Sequence, residues 1–283
     1  KIYDNTLYNS RVVGDPTNGF LLDAILNWWG DATGPYHATN NPDGLGAEVS
    51  DYVLFQPWYE DEDMSSASLL ANVDVPTAQF PDINTAQPAL VDGGTINIIS
   101  SYAQPEVTIT KSLSITSSGR DIPVITPQES ISGALITIPH ELTVNISNLS
   151  FNLSGAETAA SLLAYAGGQG NVNNCSFTGH GDNNNTEYAI TATKGAMLGI
   201  EASTFSAFGD ASVTTEDLLP AAIWIYSNDG NAPEVTINNG NTINDNYIGV
   251  RIGSEAATAD FAKATINGNT IGDPDINAYG IKI

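Results

Sequence analysis

The sequence predicts an all-β fold, a right-handed parallel β-helix. Three observations predict it: an apolar-alternating phrase that recurs along the chain, a second strand-like phrase between its copies, and no helical periodicity. The first phrase reads TVNISNLSF ending at Phe151, VNNCSF at Phe177, LGIEASTF at Phe205, VTINNGNTI at Ile243 and ATINGNTI at Ile271. Its last apolar residues are spaced by 26, 28, 38 and 28 residues. Three short strands and their turns fill such a period, so each copy marks one coil, and the longest interval implies an inserted loop. Protruding loops are expected at 182–187 and 210–220.

The second phrase appears as SLLAYA, YAITAT, AAIWIYS and YIGVRIG. Ile223 and Ile225 alternate with Ala222, Trp224 and Tyr226, as Val250 and Ile252 do around Arg251, which gives each strand an inner and an outer side. Asn148, Asn174, Asn239 and Asn267 recur at the turn of the first phrase. Asparagine tolerates the left-handed backbone and bonds its equivalents in neighbouring coils, so these positions read as turn or ladder residues. Asn145, Asn148, Asn152, Asn174 and Asn184 each head an N-x-S/T sequon, and Asn184, in an expected loop, is the glycosylation candidate.

Composition narrows the function. The 283 residues carry 41% hydrophobic side chains, enough for a large core, and a formal charge of −24 from 8 basic and 32 acidic residues. With no basic footprint, nucleic acid is excluded as a partner. No apolar run is long enough to cross a bilayer, so no membrane insertion is expected, and no signal peptide opens the sequence; an exported protein would be represented here by a mature or excised segment. The one cysteine, Cys175, leaves no disulfide framework and reads as a small core residue.

The first third differs from the rest. The stretch NWWGDATGPYHATNNPDGLGAEV followed by FQPW, residues 27–58, is rich in Gly, Pro and aromatics, and an acidic run covers 60–63. It resembles the terminal, coil-closing segment of secreted and surface β-helix (pectin-lyase-like) repeat proteins of bacteria and methanogenic archaea. Residues 87–119, with GGTINI and VTITKSLSI, are similar to the opening of such a domain. The organisation expected is therefore a terminal coil and closing segment at 1–64, a connector at 65–85 and β-helix coils at 86–283. What the resemblance implies is a location outside the cell or on its surface.

A closing segment thus precedes an opening one, and the chain is expected to end in an open coil. Residues 271–283 read as an unfinished coil that KIYDNTLYNS would follow, its Thr6–Leu7 matching the TI at 242–243 and 270–271. The chain's expected partner is itself, head to tail in a homopolymer or a tandem array, through Ile2, Tyr3, Leu7, Tyr279, Ile281 and Ile283. Such a contact does not close, and it generates fibres or layers. The function expected is an extracellular structural protein forming a filament, sheath or surface layer; the alternative is a secreted carbohydrate-binding or polysaccharide-cleaving β-helix.

Catalytic residues are not assigned. The eight Lys and Arg are scattered, which suits neither a lyase base nor a polyanion site, and Arg251 reads as a solvated surface residue. Carboxylate pairs such as Asp182 with Glu187 or Glu216 with Asp217 arise readily in so acidic a chain. His37, His140 and His180 lie in separate segments without metal-ligand spacing, and His37 reads as loop packing. No cofactor is expected and no metal site is assigned; structural calcium is considered at 182–187 and at NPDG, 41–44, where turn chemistry is the simpler reading. Trp28, Trp29, Trp58, Tyr36, Tyr52 and Tyr59 could form a platform for cell-surface glycans, or a hydrophobic plug at the end of the stack.

Overall fold

A computed structural model of the chain describes residues 2, 4–7, 11–15, 17, 21–131, 133–153, 160–181, 187–209, 219–227, 229–253, 262–272 and 279–283. Two compact units divide between Gly94 and Thr95. The strand Leu90–Ile98 runs across that division.

In the second unit every described strand belongs to one of three parallel sheets. Within this unit sheet A holds Leu90–Ile98, Leu113–Thr116, Val144–Ser147, Gln169–Asn173, Met197–Glu201, Glu234–Asn238 and Lys263–Asn267. Sheet B holds Tyr102–Gln104, Val124–Pro127, Ser150–Asn152, Ser176–Thr178, Thr204–Ser206, Thr242–Ile243 and Thr270–Ile271. Sheet C holds Val107–Thr108, Ala134–Pro139, Ala160–Ala166, Glu187–Thr193, Ala221–Ile225, Ile248–Ile252 and Tyr279–Lys282. The chain visits A, B and C in rotation, so seven successive rounds stack strand upon strand, an arrangement compatible with the predicted parallel β-helix.

The core of this unit is made of columns. In sheet B, Phe151, Phe177, Phe205, Ile243 and Ile271 pair in register, and the three phenylalanine rings stack at 5.2 and 4.9 Å. That interval is the strand spacing itself, so identical side chains stack without strain. In sheet C, Ile136, Leu163, Ile190, Ile223, Val250 and Ile281 pair likewise, and the first five are fully buried. At about 25 cal/mol per Å2 of apolar surface removed from water, each such rung contributes roughly 1.5–3 kcal/mol.

Corners between sheets A and B turn through left-handed residues. Asn148, Asn174 and Asn239 have φ of 57°, 52° and 56°. Asn267 departs from the expectation: it lies within a strand, and Gly268, with φ 70°, makes the turn in its place. The register explains the difference: Asn267 pairs with Asn238, so Gly268 stands one round on from Asn239 and adopts the left-handed conformation at no Cβ cost. Across rounds, Asn174 Nδ2 donates to Asn148 Oδ1 at 2.9 Å, and Asn171 donates its backbone N–H and Nδ2 to Asn145 Oδ1, both at 3.1 Å. These sequon asparagines are thereby committed to bonds between rounds; Asn184 lies outside the described residues.

The first unit repeats the parallel logic in shorter pieces. Arg11–Val12 pairs with Glu48–Val49, Leu22–Asp23 with Val53–Leu54, and Thr6 bridges Trp28, all parallel. Ala24, Trp29, Ala47, Val49, Val53 and Phe55 form its core. The segment read as a connector contains the strand Leu70–Val75 and is followed by a single helical turn, Ile83–Ala86. Asp82 caps that turn by accepting the Thr85 N–H at 2.8 Å, a local device too short to leave a periodic signature.

Candidate functional site

Two features stand out beyond the core: the last round of the stack and an aromatic cleft on sheet C. The last round has all three strands, since Tyr279–Lys282 pairs with Ile248–Ile252; the segment read as an unfinished coil supplies that third strand. Its openness lies in its uncovered side. Val250 is 0% exposed, yet Ile281, its partner one round on, is 45% exposed, and Tyr279 and Ile283 are exposed with it.

Of the other residues expected in assembly, Ile2 and Leu7 are half-buried against the core of the first unit. Tyr3 lies outside the described residues. The structure therefore places Ile2 and Leu7 in the first unit and Tyr279, Ile281 and Ile283 in the second.

The cleft was not foreseen. On sheet C the in-register column Thr137, Ala164, Thr191, Trp224, Arg251 and Lys282 alternates with the buried aliphatic column. Thr137, Ala164, Thr191 and Trp224, with Gly133, Ala134, Ser161, Tyr188 and Tyr226, line a cleft of 320 Å3. Small and hydroxyl-bearing side chains occupy the lower rounds, and an aromatic wall rises above them. The Trp224 ring stacks on Tyr188 at 4.8 Å and on Tyr226 at 3.9 Å, and its indole N–H donates to the Gly253 carbonyl at 3.0 Å.

Arg251 corrects the sequence reading. It is 2% exposed, its guanidinium lies 4.9 Å from the Trp224 ring centre, and it donates to the Leu219 carbonyl. A guanidinium stacks on indole and is weakly hydrated, so it tolerates burial as part of the aromatic wall. Burial pushes the Tyr188 hydroxyl well above its ordinary range, and the positive charge of Arg251 works against that rise. Tyr188, Leu219, Ala221 and Ile248 pack with Trp224 and Tyr247 into one cluster that backs the wall.

The aromatics singled out by sequence do something else. Trp29 is fully buried in the core of the first unit, and the Trp58 indole N–H donates to the Ala32 carbonyl. Trp29 and Trp58 are thus committed to packing and hydrogen bonding, whereas Tyr36 and Tyr52 are exposed. His37, 3% exposed, accepts the N–H groups of Thr39 and Asn40 on Nδ1 and faces Asp51 through Nε2 at 3.3 Å. With Nδ1 so occupied it is no general base, and it packs the loop as expected. The Gly44 N–H donates to the Asn41 carbonyl at 3.2 Å, which makes 41–44 a hydrogen-bonded turn, and the Asn41 amide donates to the carbonyls of Thr33 and Pro35.

Among the described residues, no three metal-ligating side chains cluster. Glu187 is buried and accepts the His180 N–H at 2.9 Å; Asp182, Glu216 and Asp217 lie outside the described residues. Glu106 and Glu129 border a separate cleft of 450 Å3 whose described lining contains no basic or aromatic residue. No protein-family model, curated protein or solved structure matches this chain.

Proposed function

We propose that the stacked rounds are a right-handed parallel β-helix of the pectin-lyase-like surface type, and that the protein is an extracellular structural component. It builds a filament, sheath or surface layer by head-to-tail association of β-helices, between subunits or between tandem repeats. The supporting observation is the uncovered last round, where Ile281 is 45% exposed at a position that is 0% exposed one round earlier. Covering that round with another parallel strand set would bury apolar surface and satisfy a sheet edge that otherwise invites indiscriminate pairing. Electron microscopy and analytical ultracentrifugation across a concentration range test it. Filaments or open-ended oligomers are expected; monodisperse monomers at every concentration would sink the reading.

The Trp224 cleft favours a second reading, recognition of a neutral cell-surface glycan. Aromatic faces suit the apolar faces of sugar rings, and the hydroxyls of Thr137, Ser161 and Thr191 offer directed hydrogen bonds. No carboxylate lines the described cleft, so binding without hydrolysis is the chemistry it fits. Calorimetry with neutral oligosaccharides should detect binding that Trp224→Ala weakens by about tenfold or more, in keeping with the loss of one ring contact. Equal affinity in the variant would remove the cleft from consideration.

A further inference from the structure

We infer that a cleft in the first unit binds a small alkylammonium, a positively charged nitrogen on a short apolar stem, with the Asp51 carboxylate meeting the charge and Tyr52 flanking it. The cleft measures 350 Å3, and its lining sets Leu21, Tyr52, Ala78 and Pro81 beside the polar His37 and Asp51. Sites for compact molecules start at about 300 Å3 and share this make-up of apolar walls with a few convergent polar groups.

The charge of the cleft follows from the tautomer of His37. Its Nδ1 accepts the backbone N–H groups of Thr39 and Asn40 at 3.2 and 3.1 Å, so the ring carries its single proton on Nε2, 3.3 Å from Asp51 Oδ1. The imidazole is buried and packs on Phe55 with ring centres 5.7 Å apart. A neutral donor leaves the carboxylate its negative charge. Among the described residues Asp51 meets no Lys or Arg, and its side chain is 82% exposed. In a chain of formal charge −24 the surrounding field attracts a cation and repels an anion.

Tyr52 is held where a bulky side chain rarely sits. Its φ is 65°, in the left-handed region that disfavours every residue with a Cβ, and it remains 44% exposed. Its neighbours impose that conformation. The Tyr52 carbonyl accepts the Leu22 N–H at 2.8 Å, and the Ser50 hydroxyl donates to the Asp51 carbonyl at 3.0 Å. Gly14 lies so close that a Cβ there would fall 2.7 Å from both carbonyl oxygens. Strain imposed in this way, on an exposed aromatic beside an unneutralised carboxylate, points to binding.

The segment from Thr77 to Pro81 is fixed as well. Gln79 Oε1 accepts the Phe55 N–H at 3.2 Å, its Nε2 donates to the Val53 carbonyl at 2.9 Å, and the Phe80 N–H donates to Thr77 Oγ1 at 3.0 Å. The cleft is therefore preformed, and a ligand has little of the protein to order. An alkylammonium suits all of its parts: the carboxylate pairs with the charge, the ring quadrupole attracts it, and the apolar lining takes the stem.

Titrations of the full chain followed by NMR at low salt test this with three simple probes. n-Pentylammonium should bind with a Kd of about 1 mM, whereas 1-pentanol, the stem without the charge, and methylammonium, the charge without the stem, should each bind at least about fivefold more weakly. Asp51→Asn, at an exposed position that leaves the fold intact, should weaken pentylammonium about fivefold. Tyr52→Gly, which relieves the left-handed backbone, should keep the melting temperature and still weaken binding about threefold. Pentanol binding as tightly as pentylammonium would leave only an apolar groove, and methylammonium doing so would leave only counterion attraction; either result overturns the site. Unchanged affinity in Asp51→Asn or in Tyr52→Gly overturns it too, as does no binding of pentylammonium up to about 20 mM. Nα-acetyl-lysine methylamide separates the sources: binding tighter than that of pentylammonium would assign the cleft to a lysine side chain of a protein and overturn the small-molecule reading.

Discussion

Cys175 shows how far a single side chain is governed by its round. It is 3% exposed, its Sγ lies 3.4 Å from the Asn173 carbonyl, and its backbone N–H donates to Ser203 Oγ. Burial pushes the thiol from 9.0 up to about 11. A raised value means the folded state holds the proton more tightly than the unfolded one. Its contribution to stability is whole below pH 9.0 and declines as pH rises toward about 11. Urea titrations should show lower stability at pH 10 than at pH 8, by less in Cys175→Ser, and a thiol reagent at pH 8 should label the folded protein only as fast as it unfolds. The sequence identified this residue as core from its isolation and its apolar phrase. It could not identify Gly268 as the corner, because Asn-Gly-Asn offers adjacent residues that all tolerate the left-handed region, and only strand register decides among them.

At the scale of the element, the sheet B column sets the energetics. Phe177 lies between Phe151 and Phe205, stacked on both. Phe177→Ala should cost about 3–5 kcal/mol in equilibrium denaturation, because neighbouring rings held by in-register strands relax little into the void. Ile271→Ala, in the half-covered last round, should cost less than half as much. These columns were legible because their anchors close each recurrent phrase. The cleft was not, although Trp224 and Tyr226 stand at outward positions of AAIWIYS. Whether Tyr188 of an earlier round lies beside Trp224 depends on how strands separated by 33 residues align, and loops of unequal length hide that register. The tryptophans in NWWG are locally more conspicuous, yet Trp29 is consumed by packing.

For the whole molecule, charge opposes association. A formal charge of −24 over 283 residues makes every copy repel the next, while the contacts proposed between copies are apolar or hydrogen-bonded and insensitive to ionic strength. The concentration required for assembly, read by sedimentation, should fall as salt is raised from about 10 mM to about 200 mM, across which the screening length shrinks from roughly 30 Å to under 10 Å. A junction built on ion pairs would weaken instead. The periodic two-thirds of the chain could be read from repeats because each round solves the same packing problem. The first unit could be read only by its resemblance, since its described strands are two to six residues long and its parallel partners lie anywhere from 11 to 37 residues apart.

The stacking of rounds also dictates how the second unit answers a pull. Inter-round hydrogen bonds run along the direction of stacking, so tension applied between its two ends loads the rounds in series and opens the weakest first. The outermost round should peel before its neighbours, releasing about 28 residues at a time, the interval from Phe177 to Phe205. Under a force probe the unit would extend in a ladder of small steps of roughly 85 to 125 Å of chain at about 3.3 Å per residue, the longest from the 38-residue round. Material built this way yields by increments and keeps its remaining rounds intact.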